Sequence, residues 1–413
     1  VKSEEGKNKN GSRGALARAL TENIIKNILA ISSHIKEYEF VHTYFGPPRI
    51  LKEAKKIKIK DAYNYLLSVR GKLKKFIPDE FPYFRGTYYR DIIDSALIQA
   101  ELFVFKNKKY SFKKTVETLF AVKLPPLINL SAARTRMYSE LKKSGYLSVT
   151  QLRKDSDWHG FKNFKELDHF IAREVKTIFK SHDKAFGKYF DFDIKKSFDK
   201  FNLVVEKSKR GMPDCYYYYR GNYKGVMGLK FRDKFDLSHI KNLIGHEILP
   251  GHHFYYLVKE SLFRNKKIDL GVTLDTFYSP ETIINEGLAM SVDVLFGGIL
   301  DAKVRLKGLA AKYLYAVLYN IWYSKFILKK KYKKYQDIIG AELGFNKKDE
   351  KFWMNFYLGP EWRYYAVSYA IGSYYVDGFL KKHGVKNARY LYNQQSVNTI
   401  KKLERDLKDG KKR

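Results

Sequence analysis

Apolar side chains recur three or four residues apart over residues 16–44, 88–105, 112–122, 132–141 and 164–186. That period places them on one face of an amphipathic helix. The same period returns over residues 237–263, 280–296, 302–343, 352–383 and 387–407. Pro47, Pro48, Pro78, Pro82, Pro125 and Pro126 interrupt it and fit loops between helices of one bundle. Between residues 202 and 235 the texture changes. The tyrosine run Tyr216 to Tyr219, then Gly221-Asn222, then an aromatic and glycine-containing stretch to Phe231 predict a β-hairpin or small sheet. The expected fold is mainly α, with a small β insertion around residues 202–235. One helical domain over residues 15–407 accounts for the pattern. The alternative is a helical half over 15–190 followed by a catalytic half over 191–407. Residues 1–14 read as a flexible lead-in and 408–413 as a frayed tail.

Composition narrows the class. In 413 residues, 45% are hydrophobic and 16% aromatic, enough for a large core and against disorder. The single cysteine, Cys215, excludes an internal disulfide and a cysteine-based zinc cluster. No uninterrupted apolar run is long enough to span a membrane; the nearest, 309–328, is broken by Lys312, Asn320 and Lys325. The chain opens at Val1, so a segment upstream is conceivable, and its first residues lack the apolar core of a signal peptide. A cytoplasmic location is the expectation.

The charge complicates this picture. Basic residues number 79 against 44 acidic, for a net charge of +35. Such an excess suits a nucleic acid or another acidic partner. Lysine outnumbers arginine roughly threefold, whereas phosphate and base recognition lean on the guanidinium fork. A solvated lysine-rich surface is the favoured explanation, with a nucleic-acid binder as the rival from outside the enzymes.

Candidate chemistry concentrates in His246-Glu247-Ile248-Leu249-Pro250-Gly251-His252-His253. Leu237, Ile240, Ile244 and Ile248 form an apolar stripe that also contains Glu247. A carboxylate on a buried face needs a partner or a nearby metal. The opening His-Glu is similar to the zincin pattern, in which histidines four apart bind zinc and the glutamate is the general base. Here the fourth position is Pro250. In a regular helix His252 is turned about 120° from His246, and His253 lies about 10 Å along the axis. Proline clashes with the preceding turn and glycine permits unusual backbone, so a bulge at Pro250-Gly251 brings either His252 or His253 back, His252 with the smaller unwinding. Downstream, Ser279-Pro280 reads as a helix start. The apolar helix after it carries Glu286, a third ligand, and Asp293 seven residues on, a supporting carboxylate.

These blocks resemble the prokaryotic family catalogued as domain of unknown function 885. Its His-Glu-x-x-Pro-Gly-His-His string is matched by His246, Glu247, Pro250, Gly251, His252 and His253. Its Glu-Gly-Trp-Ala block resembles Glu286-Gly287-Leu288-Ala289, with Leu288 in place of tryptophan. A third block aligns with Arg363-Tyr364-Tyr365-Ala366, Tyr369 and Gly372, without the family's Pro-Gly-Gln. The resemblance covers about residues 200–380 and implies a largely helical zinc peptidase. It is similar to the aminopeptidase N and carboxypeptidase Taq groups, which use a glutamate as third ligand.

The expected function is therefore a zinc-dependent hydrolase cleaving peptide bonds, with one Zn2+ per chain on His246, His252 or His253, and Glu286; other divalent metals also suit this set. Glu247 is the expected general base, Tyr369 or Tyr365 the donor to the developing oxyanion, and Arg363 a grip for a substrate carboxylate. A zinc hydrolase of other amides or esters is the rival among enzymes.

Overall fold

The computed structural model of the chain describes residues 4–35, 43–73, 85–107, 110–186, 200, 202–207, 215–295 and 301–408, with side chains from residue 18 onward apart from 85 and 181–186. The periodic stretches fold as helices, and polar residues at their heads explain where several begin. Ser111 accepts from the Lys114 amide ahead of Phe112–Leu119. Asp236 accepts from the Ser238 and His239 amides ahead of Leu237–Glu247. Ser279 and Thr282 form a reciprocal capping box ahead of Pro280–Met290. Each supplies an acceptor to amides that the first helical turn leaves without one. Helix Phe164–Phe186 has its expected bounds.

Other helices are interrupted where periodicity ran on. The stretch 237–263 divides into Leu237–Glu247 and His252–Arg264. The stretch 280–296 breaks at Ser291, whose hydroxyl donates to the Gly287 carbonyl and to Asp377, leaving Pro280–Met290 and Val292–Leu295. Ala302–Tyr323 passes into a π-helical turn, Ser324–Leu328, which ends at left-handed Lys329 before Lys333–Ala341. Likewise 352–383 holds two helices, Lys347–Leu358 and Val367–His383. An apolar face continues across a change of direction, so its period does not reveal the break.

The ends differ from expectation as well. The first helix runs Glu4–Ser33, so residues 4–14 of the expected lead-in are helical. Adding residues to an existing helix costs far less than starting one. It stops short of residue 44, and Thr43–Tyr44 is a strand paired with Leu274–Asp275. The last helix, Val397–Lys408, reaches the first residue of the expected tail; residues 409–413 lie outside the described residues.

The β insertion is a three-stranded sheet. Its central strand Lys224–Leu229 pairs antiparallel with Cys215–Tyr219 and parallel with Asn202–Lys207. The hairpin turn takes positive φ at Gly221, Asn222 and Tyr223. Buried Glu260 holds that turn, accepting from the Asn222 and Tyr223 amides and the Tyr219 hydroxyl. A separate short pair, Trp158–His159 with Phe235–Asp236, closes the insertion.

Among the described residues, two apolar clusters form the interior. One gathers Ile24, Leu29, Ile50, Leu66 and Ile93 with Leu274. The other runs from Ile98 to Leu403 and joins Leu167 and Ile171 to Ile240, Ile284, Leu318 and Ile371. Helix Phe164–Phe186 thus shares a core with the later helices, and the clusters meet near residues 97–104 rather than near residue 190. Helices Pro280–Met290 and Val367–His383 cross at a pair of glycines. A Cβ on Gly287 would lie 2.5 Å from the Gly372 carbonyl oxygen, and one on Gly372 2.5 Å from that of Ile283. Only glycine lets two backbones approach so closely. Among the described residues no helix is long and apolar enough to cross a membrane.

Candidate metal centre

The site is assembled where the motif helix breaks. Past Glu247 the Gly251 amide reaches back to the Gly245 carbonyl and the Phe254 amide to that of Ile248, so the chain folds onto its own last turn before His252–Arg264 starts. A Cβ on Gly251 would lie 1.6 Å from the His246 carbonyl oxygen. Glycine is obligatory there, and the tight passage sets the His246 and His252 rings 4.9 Å apart, edge to face. The expected bulge is a complete interruption of the helix.

This arrangement brings His246, His252 and Glu286 together, with one nitrogen or oxygen from each within 4.8 Å of the others. His246 Nε2 is 3.5 Å from Glu286 Oε2, and His252 Nε2 is 3.7 Å from Glu286 Oε1. Glu247 stands beside them, its Oε2 3.9 Å from His252 Nε2. His252 is oriented by a hydrogen bond between Nδ1 and Asn285 Oδ1 at 2.8 Å. Tyr365 donates to Glu286 Oε1 at 2.5 Å, its ring stacked on Phe277. Glu286 Oε2 is buried and has no hydrogen-bond partner among the described residues.

Burial sets the electrostatics. It holds His246 well below the usual histidine range, helped by His252. Burial pulls His252 down too, but Glu286 and Glu247 outweigh it and its net shift is upward. Glu247 is pushed up to about 7 by burial and by Glu286, against His252 and a hydrogen bond from Cys215. Burial likewise raises Glu286, against His252 and Tyr365.

The donor set suits a divalent ion. Two imidazoles and a carboxylate form the ligand type of catalytic zinc sites. Ligand atoms about 2.0–2.1 Å from a tetrahedral zinc lie about 3.3 Å apart. The separations of 3.5 and 3.7 Å, one to each Glu286 oxygen, are a few tenths wider, and the three ligand atoms all lie within 4.8 Å of one another. A buried carboxylate oxygen without a donor is costly, and a cation would satisfy it.

The remaining candidates fall in different places. His253 is fully buried with Nδ1 2.5 Å from the Tyr217 hydroxyl, and burial holds it neutral at about 3. The structure packs it against the sheet and turns only His252 to the cluster. Tyr369 lies at the cluster, its ring 6.2 Å from that of His246 and stacked on Tyr315. Asp293 sits beyond the break at Ser291, so the shared face seven residues from Glu286 is lost; it pairs with Arg136 at 3.0 Å and Lys312 at 2.7 Å. The Arg363 guanidinium lies over the Phe112 and Tyr364 rings, and its carbonyl accepts from Trp322. Sequence reading missed Asn285 and Cys215. Asn285, a polar residue inside an apolar helix and next to Glu286, carried a readable signal; Cys215, 32 positions from Glu247, carried none.

No family model matches the chain, and no curated protein does. Among solved structures, it is similar to a "putative lipoprotein" from Colwellia psychrerythraea, at 14% identity and a TM-score of 0.55, over 85% of this chain and 70% of that one. A second, a "putative lipoprotein of unknown function" from Shewanella oneidensis, is 12% identical with a TM-score of 0.45, over 95% and 98% of the two chains. The first likeness is one of fold alone.

Proposed function

We propose that the protein is a zinc-dependent hydrolase acting on peptide bonds. The observation that carries this reading is the buried Glu286 Oε2, left without a donor beside two imidazoles. His246, His252 and Glu286 would hold the ion, which when bound supplies a Lewis acid that acidifies water and polarises the scissile carbonyl. Glu247 adjoins this set without completing it and serves as the base. It takes the proton of the attacking water and delivers it to the leaving nitrogen. Tyr365 is occupied by Glu286 and fixes that carboxylate. Tyr369, in the helix that begins two residues after Tyr365, faces His246 and is left to donate to the developing oxyanion. Rings of Tyr217, Tyr315 and Tyr369 flank the cluster and limit water around the reacting atoms.

The motif resemblance to domain of unknown function 885 supports the same reaction class. A cytoplasmic location stays part of the proposal on the strength of the single cysteine, and the Colwellia likeness brings no compartment with it.

The decisive experiment pairs elemental analysis with a peptide-cleavage screen on wild type and Glu247→Gln. About one zinc per chain in both is expected, with cleavage reduced roughly 10²–10⁴-fold in the variant. Zinc lost on His246→Ala ties the ion to this cluster. A protein that takes up no zinc, or a Glu247→Gln variant with undiminished turnover, removes the reading.

A further inference from the structure

We propose that Asp275, a buried carboxylate outside the cluster, decides which nitrogen of His252 carries its proton, acting through Tyr256 and Asn285. A carboxylate accepts hydrogen bonds and does not donate them. Asp275 Oδ2 lies 2.5 Å from the Tyr256 hydroxyl and Oδ1 2.6 Å from the Ser279 hydroxyl, so both protons point at Asp275. Tyr256 has one such proton. With it directed to Asp275, the phenol oxygen is left as an acceptor toward Asn285, 2.9 Å away.

Asn285 therefore presents its NH2 group to Tyr256 and its carbonyl Oδ1 to His252 Nδ1. An acceptor at that distance requires the proton on Nδ1. The lone pair is then on Nε2, the atom 3.7 Å from Glu286 and 3.9 Å from Glu247. The reversed amide would donate to a bare Nδ1, leaving the proton on Nε2, but would set its carbonyl against a Tyr256 oxygen that has no proton to offer. Tyr256, Asp275, Ser279 and Asn285 are each 6% exposed or less, so water does not relieve such a mismatch. Asp275, Tyr256 and Asn285 are thus positioning residues: they preset the tautomer in which Nε2 is ready to coordinate. The tautomer stands without any metal; only its benefit to binding rests on the proposed centre.

Imidazole nitrogen–carbon correlation spectra of the full-length, metal-free protein test this, at a pH alkaline enough to keep His252 neutral. Loss of the signal in His252→Gln identifies it. The expected spectrum is the Nδ1–H form in wild type and in Asn285→Asp, which still accepts. Tyr256→Phe is expected to give a mixture. Asp275→Asn is expected to favour Nε2–H, because its amide can donate to Tyr256 and reverse the chain. Zinc affinity, by competition with a chromophoric chelator, should fall about 10–100-fold in Tyr256→Phe and Asp275→Asn. An Nε2–H form in wild type overturns the proposal. So does an Nδ1–H form unchanged in both variants. Expected tautomers in a protein that binds no zinc uphold the orientation chain and discard the metal reading alone.

Discussion

Gly251 shows how one missing Cβ shapes the site. Its backbone runs against the His246 carbonyl, and any side chain there forces the break to open. Gly251→Ala should therefore cost stability at or above the upper end of the about 1–3 kcal/mol typical of overpacking. Denaturant unfolding measures this, and a loss below about 0.5 kcal/mol would mean that the passage is looser than its geometry. Pro250 and Gly251 were legible as a disruption because their backbone constraints are intrinsic to the residue. Which histidine the disruption returns was open, because it depends on how far the chain refolds on the preceding turn.

At the scale of elements, the helices that carry His252 and Glu286 are locked by an ion pair inside the protein. Lys259 Nζ is 2.5 Å from Glu281 Oε1, and neither side chain has any exposed surface. The Lys259 ammonium also lies 4.0 Å from the centre of the Tyr255 ring. Removing one partner from such a buried pair costs about 3–5 kcal/mol. Lys259→Met is expected to show that loss in denaturant unfolding, and Lys259→Met with Glu281→Leu to recover most of it. A double variant no better than the single one would contradict the assignment of the cost to the broken pair. The crossing with Val367–His383 matters equally, since Gly287 and Gly372 let the helix bearing Tyr369, with Tyr365 just ahead of it, approach Glu286.

For the whole molecule, Asp91 couples stability to pH. It lies in helix Arg85–Gln99 and accepts from Asn398 in the last helix. Burial pushes it up to about 7, against hydrogen bonds from Ser396 and Asn398, from an ordinary value of 3.8. Between those values the folded state holds a proton that the unfolded state has released, so stability falls as pH rises. The contribution is absent below about pH 4 and amounts to about 4 kcal/mol of destabilisation above pH 7. Asp91→Asn should remove it, so the variant gains on wild type in unfolding experiments from pH 4 to pH 8. A difference between the two that does not change with pH would refute the coupling. Ion pairs such as Arg70 with Asp94 and Lys307 with Asp236 engage some of the 79 basic side chains, and the excess of +35 over the acidic residues remains.

What the sequence determined by itself is what short-range physics controls. The period of apolar positions sets which segments coil, Ser279-Pro280 sets where one of them starts, and Glu247 on an apolar stripe marks a carboxylate in need of company. Only the tertiary structure decided that His253 turns to Tyr217, that Asp293 pairs with Lys312 and Arg136, and that Cys215 and Asn285 meet Glu247 and His252. Those partners lie tens to more than a hundred residues apart in the chain. Their meeting depends on how closely helices pack and where the backbone reverses, and a pattern of local propensity carries no measure of either.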